Sequence, residues 1–174
     1  DEITWIIAVN DCSTDNTESV LLRLQTENKK LIYIRHEKNR GVGGAMMTGY
    51  TKSLELKADI SIKMDGDGQM DPALIPVLTR PIEEGDADYT KGNRFYYLSD
   101  LAQMPLLRLW GNSVLSLMSK FSTGYWNIFD PTNGFTSIHA AVAERLPFEK
   151  IDQRYFFESD ILFRLNTLRA VVVD

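Results

Sequence analysis

The chain has 174 residues, of which 44% are apolar and 25% charged, with a formal charge of −5 and a pI near 5.1. At this length one domain buries roughly 70% of the unfolded chain's surface, and the acidic balance argues against nucleic-acid partners, which require a basic footprint. The single Cys12 excludes an internal disulfide and fits a reducing, cytoplasmic setting, and no apolar run approaches the ~20 residues of a membrane span.

Residues 3–9 read as a strand, followed by a polar loop over 10–16. A helix over 17–27 carries Val20, Leu21 and Leu24 at helical spacing. A second strand over 31–35 leads to a helix over 41–56, and 58–64 is a third strand. Asp71-Pro72 begins a third helix, with Asp as cap and Pro in the first turn. Residues 87–91 form a fourth strand. The repeated alternation predicts an α/β fold, a mostly parallel sheet flanked by helices on both faces. Beyond Arg94 the pattern changes to a long amphipathic segment over 104–121, a turn cluster over 130–134, and helices over 140–146 and 155–168. A final strand over 170–173 and the strand at the start lie against the chain ends, the pattern of a fragment of one domain.

Asp65-Gly66-Asp67-Gly68-Gln69 directly follows the third strand. Open α/β sheets bind ligands at the carboxyl edge of their strands. Two carboxylates and an amide oxygen at alternate positions suit a hard divalent cation, Mg²⁺ or Mn²⁺, held against substrate phosphates. Carboxylates so close repel unless something cationic sits between them. A calcium loop of EF-hand type is excluded, since Met70 and Pro76 stand where it needs Gly and Glu. The alternative is a solvated turn.

In Asn39-Arg40-Gly41-Val42-Gly43-Gly44, glycines at a helix start suit phosphate contact or, equally, tight turning and packing. The series lacks the third glycine of a dinucleotide fingerprint, where Met46 stands. In the loop Asn10-Asp11-Cys12-Ser13-Thr14-Asp15-Asn16, an acid accepts from a nucleobase or ribose, or the residues simply cap the next helix and form an Asx turn. Arg94 and Arg108 suit a phosphate clamp, the alternative being weak surface pairs. Leu106, Leu109, Trp110, Val114, Leu117, Met118 and Phe121 share one helix side, which faces the core or, with Arg108 and Lys120, a lipid boundary. Glu158 and Asp160 point about 200° apart on a helix, so at most one faces a site. Either acts as a general base there or complements the helix dipole. His36 and His139 have no partner spacing and stand as ordinary residues.

In this order the motifs resemble the inverting family-2 glycosyltransferases of GT-A fold, over nearly the whole chain. Val9 to Asp15 resembles their V-[ND]-D-G-S-x-D loop, with Cys12 in place of Gly; Asn39-Arg40-Gly41 resembles N-x-G, and Asp65-Gly66-Asp67 resembles D-x-D. The Gln69 extension, Gly92-Asn93-Arg94 and Asp130-Pro131-Thr132-Asn133-Gly134-Phe135 are similar to the polyprenyl-phosphate sugar synthases. The resemblance implies a nucleotide-sugar-binding half, 1–94, and an acceptor-binding half, 95–174. It implies that Asn10, Asp11, Ser13, Asp15, Asn39, Gly41, Gly43 and Asp65 meet a UDP- or GDP-sugar. Asp65, Asp67 and Gln69 then hold the Mg²⁺ or Mn²⁺, with Asp67 central to catalysis. Arg94 and Arg108 grip an acceptor phosphate, and Glu158 or Asp160 is the base for a hydroxyl acceptor. The implied reaction is sugar transfer to a polyprenyl phosphate at the cytoplasmic face of a membrane. Alternatives are transfer to a saccharide hydroxyl in cell-surface polysaccharide synthesis, or nucleotide-sugar binding without turnover. The family's first strand and P-x-Y-N-E loop are absent from these residues, and its C-terminal membrane helices would lie beyond Asp174.

Overall fold

A computed structural model describes residues 3–93, 106–154 and 156–174, with the backbone alone at 106–110, 112, 113 and 115. The chain forms two compact units, Asp1–Ala58 with Pro147–Phe157, and Asp59–Leu146 with Glu158–Asp174. These divisions differ from the junction after Arg94 drawn from the motifs.

In the first unit, β1 (Ile6–Asn10) and β2 (Leu31–Arg35) pair in parallel, Ile6 opposite Leu31 and Asn10 opposite Arg35. Helix α1 (Thr17–Glu27) joins them and buries none of its residues. Helix α2 (Gly41–Glu55) packs on β1 and buries Gly43, Met47, Tyr50 and Ser53, a stripe at helical spacing. Tyr50 stacks on Phe148 with ring centroids 6.0 Å apart. The helix closes with Lys57 in the left-handed region, its amide returning to Leu54 while that of Ala58 reaches Ser53.

The second unit holds a sheet in the order β3 (Ile60–Lys63), β5 (Thr136–His139), β4 (Tyr89–Lys91) and β6 (Val172–Val173). Between β3 and β4 lies α3 (Ile75–Glu83), entered through a 3₁₀ turn, Pro72–Leu74. Asp71 caps that turn through the Ala73 amide, as the Asp-Pro pair predicts. After β4 come α4 (Leu106–Thr123), β5, the short α5 (Ala140–Ala143) and α6 (Phe157–Thr167), which precedes β6.

The α/β class agrees with the sequence reading, but the second sheet is mixed. Strand β5 runs antiparallel to both β3 and β4, and only β6 lies parallel to β4. Strand β5 escaped the sequence reading because Thr136-Ser137-Ile138-His139 has neither an apolar run nor alternation. Of its two buried hydroxyls, Ser137 Oγ lies 2.6 Å from Thr90 Oγ1 and donates to the Leu78 carbonyl at 3.2 Å, while Thr136 Oγ1 has no partner among the described residues. Tyr89, Ile138, Ala143, Ile161, Leu162 and Leu165 form the centre of this core, none more than 1% exposed. Fully burying an aliphatic side chain of this size contributes about 1.5–3 kcal/mol.

Helix α4 departs from a core-facing reading. Of its described apolar side chains, Leu117 is 51% exposed, Met118 63% and Phe121 71%, while Ser119 and Thr123 are buried. Phe121 meets Trp126 edge-on at 5.2 Å, and Lys120 lies 4.0 Å above the Phe129 ring.

Candidate functional site

In the first unit the predicted nucleotide-loop residues gather around the Asp11 carboxylate. Its Oδ1 accepts from the Arg40 amide at 2.8 Å and lies 2.7 Å from His36 Nδ1; its Oδ2 accepts from the Gly41 amide at 2.8 Å. Asn39 Nδ2 donates to the Asp11 carbonyl at 3.2 Å. Burial alone would raise the Asp11 carboxyl, but the hydrogen bonds from His36, Arg40 and Gly41 outweigh it and hold the carboxyl below its ordinary value. Asn10 is buried, accepting from the Ser13 amide at 2.8 Å and donating to the Tyr33 hydroxyl at 3.2 Å. Asp15 accepts from the Thr17 amide at 3.0 Å at the start of α1. Cys12, where the resembling motif has Gly, has a φ of 63°, a left-handed conformation that glycine adopts without steric cost.

His36 is therefore not an ordinary residue. It is 7% exposed, and its Nε2 lies 2.8 Å from Thr48 Oγ1, so the ring links Asp11 to the body of α2. Sequence spacing gave no signal of this, because the three residues come from three elements.

The glycines at the α2 start serve close packing. The Gly43 and Gly44 amides donate to the Gln153 carbonyl at 3.0 and 3.3 Å. A Cβ on Gly43 would strike the Asp152 carbonyl and come within 2.8 Å of Gln153 Cα, and one on Gly41 would strike the Gln153 carbonyl. The donors that suit a phosphate are thus met by protein acceptors in this structure.

In the second unit, β3 delivers Lys63 and Asp65 to the sheet edge, and the loop Gly66–Met70 continues from them. Lys63 Nζ lies 2.9 Å from Asp65 Oδ1 and 3.3 Å from Glu158 Oε1, and donates to the Gly134 carbonyl at 3.0 Å. Lys91, at the end of β4, holds the other Glu158 oxygen at 3.2 Å and donates to the Asn133 carbonyl. Lys63 and Lys91 are buried, whereas the Asp65 side chain is 39% exposed. Burial lowers the Lys91 ammonium's pKa, opposed by Glu158 and then Asp130. Removing one partner of a buried ion pair typically costs about 3–5 kcal/mol, because it strands the other charge.

Asp67 Oδ1 accepts from the Gln69 amide at 3.0 Å, and Gly68 holds a φ of 74° beside it. Among the described residues no group of three His, Cys, Asp or Glu side chains is placed to hold a metal. The donor set still fits Mg²⁺ or Mn²⁺, which are bound through one or two carboxylates completed by water and substrate phosphates. Asp65 and Asp67 offer two such carboxylates, since both side chains reach solvent.

The carboxylates of α6 part company as their angular spacing predicts: Glu158 faces the two lysines, and Asp160 pairs with Arg164 Nε at 3.0 Å along the helix. Asn93 Nδ2 donates to Asp174 Oδ2 at 2.8 Å. Arg94 and the Arg108 side chain lie outside the described residues. Besides His36, the residues missed in sequence are Lys63 and Lys91. The available signal was a charged residue at the end of an otherwise buried strand, which is rare unless it is paired.

Residues 2–147 match the family described as Glycosyl transferase family 2. A UDP-N-acetylglucosamine--dolichyl-phosphate N-acetylglucosaminyltransferase of Methanococcus voltae is 34% identical over 86% of this chain and 64% of its own length. An undecaprenyl-phosphate mannosyltransferase of Micrococcus luteus is 25% identical over 97% of this chain and 69% of its own. A dolichol-phosphate mannosyltransferase of Pyrococcus furiosus is 25% identical over 88% and 42%. The chain thus spans just under two thirds of the first of these relatives. A family match over most of the chain, on a fold that carries the aspartate loop at the edge of its sheet, places this chain in glycosyl transferase family 2.

Proposed function

We propose that this chain carries the catalytic region of a metal-dependent, inverting glycosyltransferase that moves a sugar from a UDP- or GDP-sugar to a polyprenyl phosphate. The observation that carries this is the Asp65-Gly66-Asp67 loop leaving β3, in a chain whose similar proteins are named for transfer to dolichyl or undecaprenyl phosphate. A divalent cation bound there supplies Lewis-acid stabilisation of the leaving diphosphate, typically worth several kcal/mol.

The chain's own residues do the rest. Asp65, Asp67 and Gln69 would hold that ion beside the donor's diphosphate. Asp11 orders the α2 start through the Arg40 and Gly41 amides, shaping the nucleotide loop. An acceptor phosphate is already anionic near neutral pH, so its oxygen attacks the anomeric carbon in line without a base and the centre inverts. Arg94 and Arg108 hold that phosphate, each charge-assisted bond worth about 1.5–3 kcal/mol. Glu158 is engaged by two ammonium groups, an arrangement that suits orientation rather than proton transfer.

No described helix is long and apolar enough to cross a membrane. The exposed face of α4 instead suits the surface of the bilayer that holds a polyprenyl acceptor, at its cytoplasmic side.

Calorimetric titration of UDP and then GDP, with and without Mn²⁺, tests the donor site. Metal-dependent binding of one nucleotide, lost in Asp67→Ala, is expected. Equal binding without metal would remove the role given to Asp65 and Asp67. Transfer of labelled sugar to extracted polyprenyl phosphate then tests the acceptor.

A further inference from the structure

We propose that Lys63 is a built-in counter-cation for Asp65, holding that carboxylate in the absence of metal and competing with the metal for it, with Glu158 as the anchor that limits the competition. The proposal rests on the reading of Asp65 as a metal ligand.

The geometry is that of a filled tripod. An ammonium has three hydrogens, and Lys63 Nζ has three oxygen partners: Asp65 Oδ1 at 2.9 Å, Glu158 Oε1 at 3.3 Å and the Gly134 carbonyl at 3.0 Å. With 2% of its side chain exposed, Lys63 has no alternative partner in water. The glycine at 134 is part of the device, since a Cβ there would collide with both Asp65 Oδ2 and Lys63 Nζ. Glu158 is itself held from the far side by Lys91.

Asp65 is the most exposed of the three, 39% against 15% for Glu158 and 2% for Lys63, so the carboxylate most open to a divalent cation is the one that Lys63 already neutralises. Ammonium and metal repel across that carboxylate, and the ion pair must loosen as the metal binds. Lys63 then keeps Glu158 and the Gly134 carbonyl, so no buried charge is stranded. Lys63 is accordingly a positioning residue: it neutralises and orients the Asp65 carboxylate when no metal is bound.

Mn²⁺ titration of the full chain, followed by loss of the free-ion electron paramagnetic resonance signal, tests this alongside thermal melts. Lys63→Met should bind Mn²⁺ about tenfold more tightly, equivalent to about 1.4 kcal/mol. Glu158→Gln, which leaves Lys63 with Asp65 as its one carboxylate partner in the tripod, should bind about threefold more weakly. Lys91→Met should change affinity less than about twofold. A purely structural role predicts weaker binding in all three, in step with lost stability, and that pattern overturns the proposal. If Lys63→Met does not fold, Glu158→Gln and Lys91→Met decide together: weakening in Glu158→Gln alone is expected, and unchanged or tighter binding there, or equal weakening in both, overturns the proposal. Asp65→Asn separates the two readings. Wild-type Mn²⁺ affinity there would sink the metal site and this inference together; lost affinity with no tightening in Lys63→Met would sink the inference alone.

Discussion

Asp174 shows how burial sets the behaviour of a single carboxylate. Its Oδ2 accepts from Asn93 Nδ2 at 2.8 Å and from the Phe129 amide at 2.9 Å, while Oδ1 is buried with no partner among the described residues. Desolvation, assisted by nearby Asp130 and opposed by the Phe129 hydrogen bond and Lys91, raises its pKa from 3.8 to about 6. The folded state therefore binds this proton more tightly than the unfolded chain does. The resulting stability is complete below pH 3.8 and is lost as pH rises through about 6. Asp174→Asn should flatten that part of the stability curve, as urea denaturation at stepped pH would show; a slope identical to wild type would reject the assignment. Asp11 has the opposite sign, since three donors favour its charged form.

At the scale of elements, the start of α2 is a packing joint. Its Gly41 and Gly43 lie against the 152–153 backbone of the same unit, closer than any side chain permits. Gly43→Ala should destabilise the chain by about 1–3 kcal/mol, the usual cost of overpacking, measured by chemical denaturation. A loss below about 0.5 kcal/mol, ordinary for a neutral surface change, would mean that the joint yields. Both readings of this glycine series were open in the sequence, because phosphate contact and backbone contact impose the same requirement for a missing side chain. Strand β5 was missed for a related reason. Its place in the centre of a sheet depends on partners from β3 and β4, and nothing in four local residues encodes them.

For the molecule as a whole, the exposed apolar face of α4 is the feature with the widest consequence. Leu117, Met118 and Phe121 stand in solvent beside Lys120, the pattern of a helix that lies in a headgroup boundary. Replacing all three with Ser should markedly lower co-flotation with vesicles of anionic phospholipid while leaving Mn²⁺-dependent nucleotide binding unchanged. Retained flotation would assign membrane contact to another surface.

The sequence alone determined the family resemblance, the α/β class, the helix at 17–27 and the aspartate loop after the third strand. These follow from local order: periodicity, turn chemistry and ligand spacing are all written within a few consecutive residues. It also limited Glu158 and Asp160 to one site-facing carboxylate, since angular spacing on a helix is local geometry. Which of the two meets buried lysines, only the tertiary structure decided, by bringing Lys63 and Lys91 from separate strands to Glu158. The same holds for His36 against Asp11, 25 residues away in the chain. Buried charges are compensated by partners distant in sequence, so their pairing becomes legible only once the strands are side by side.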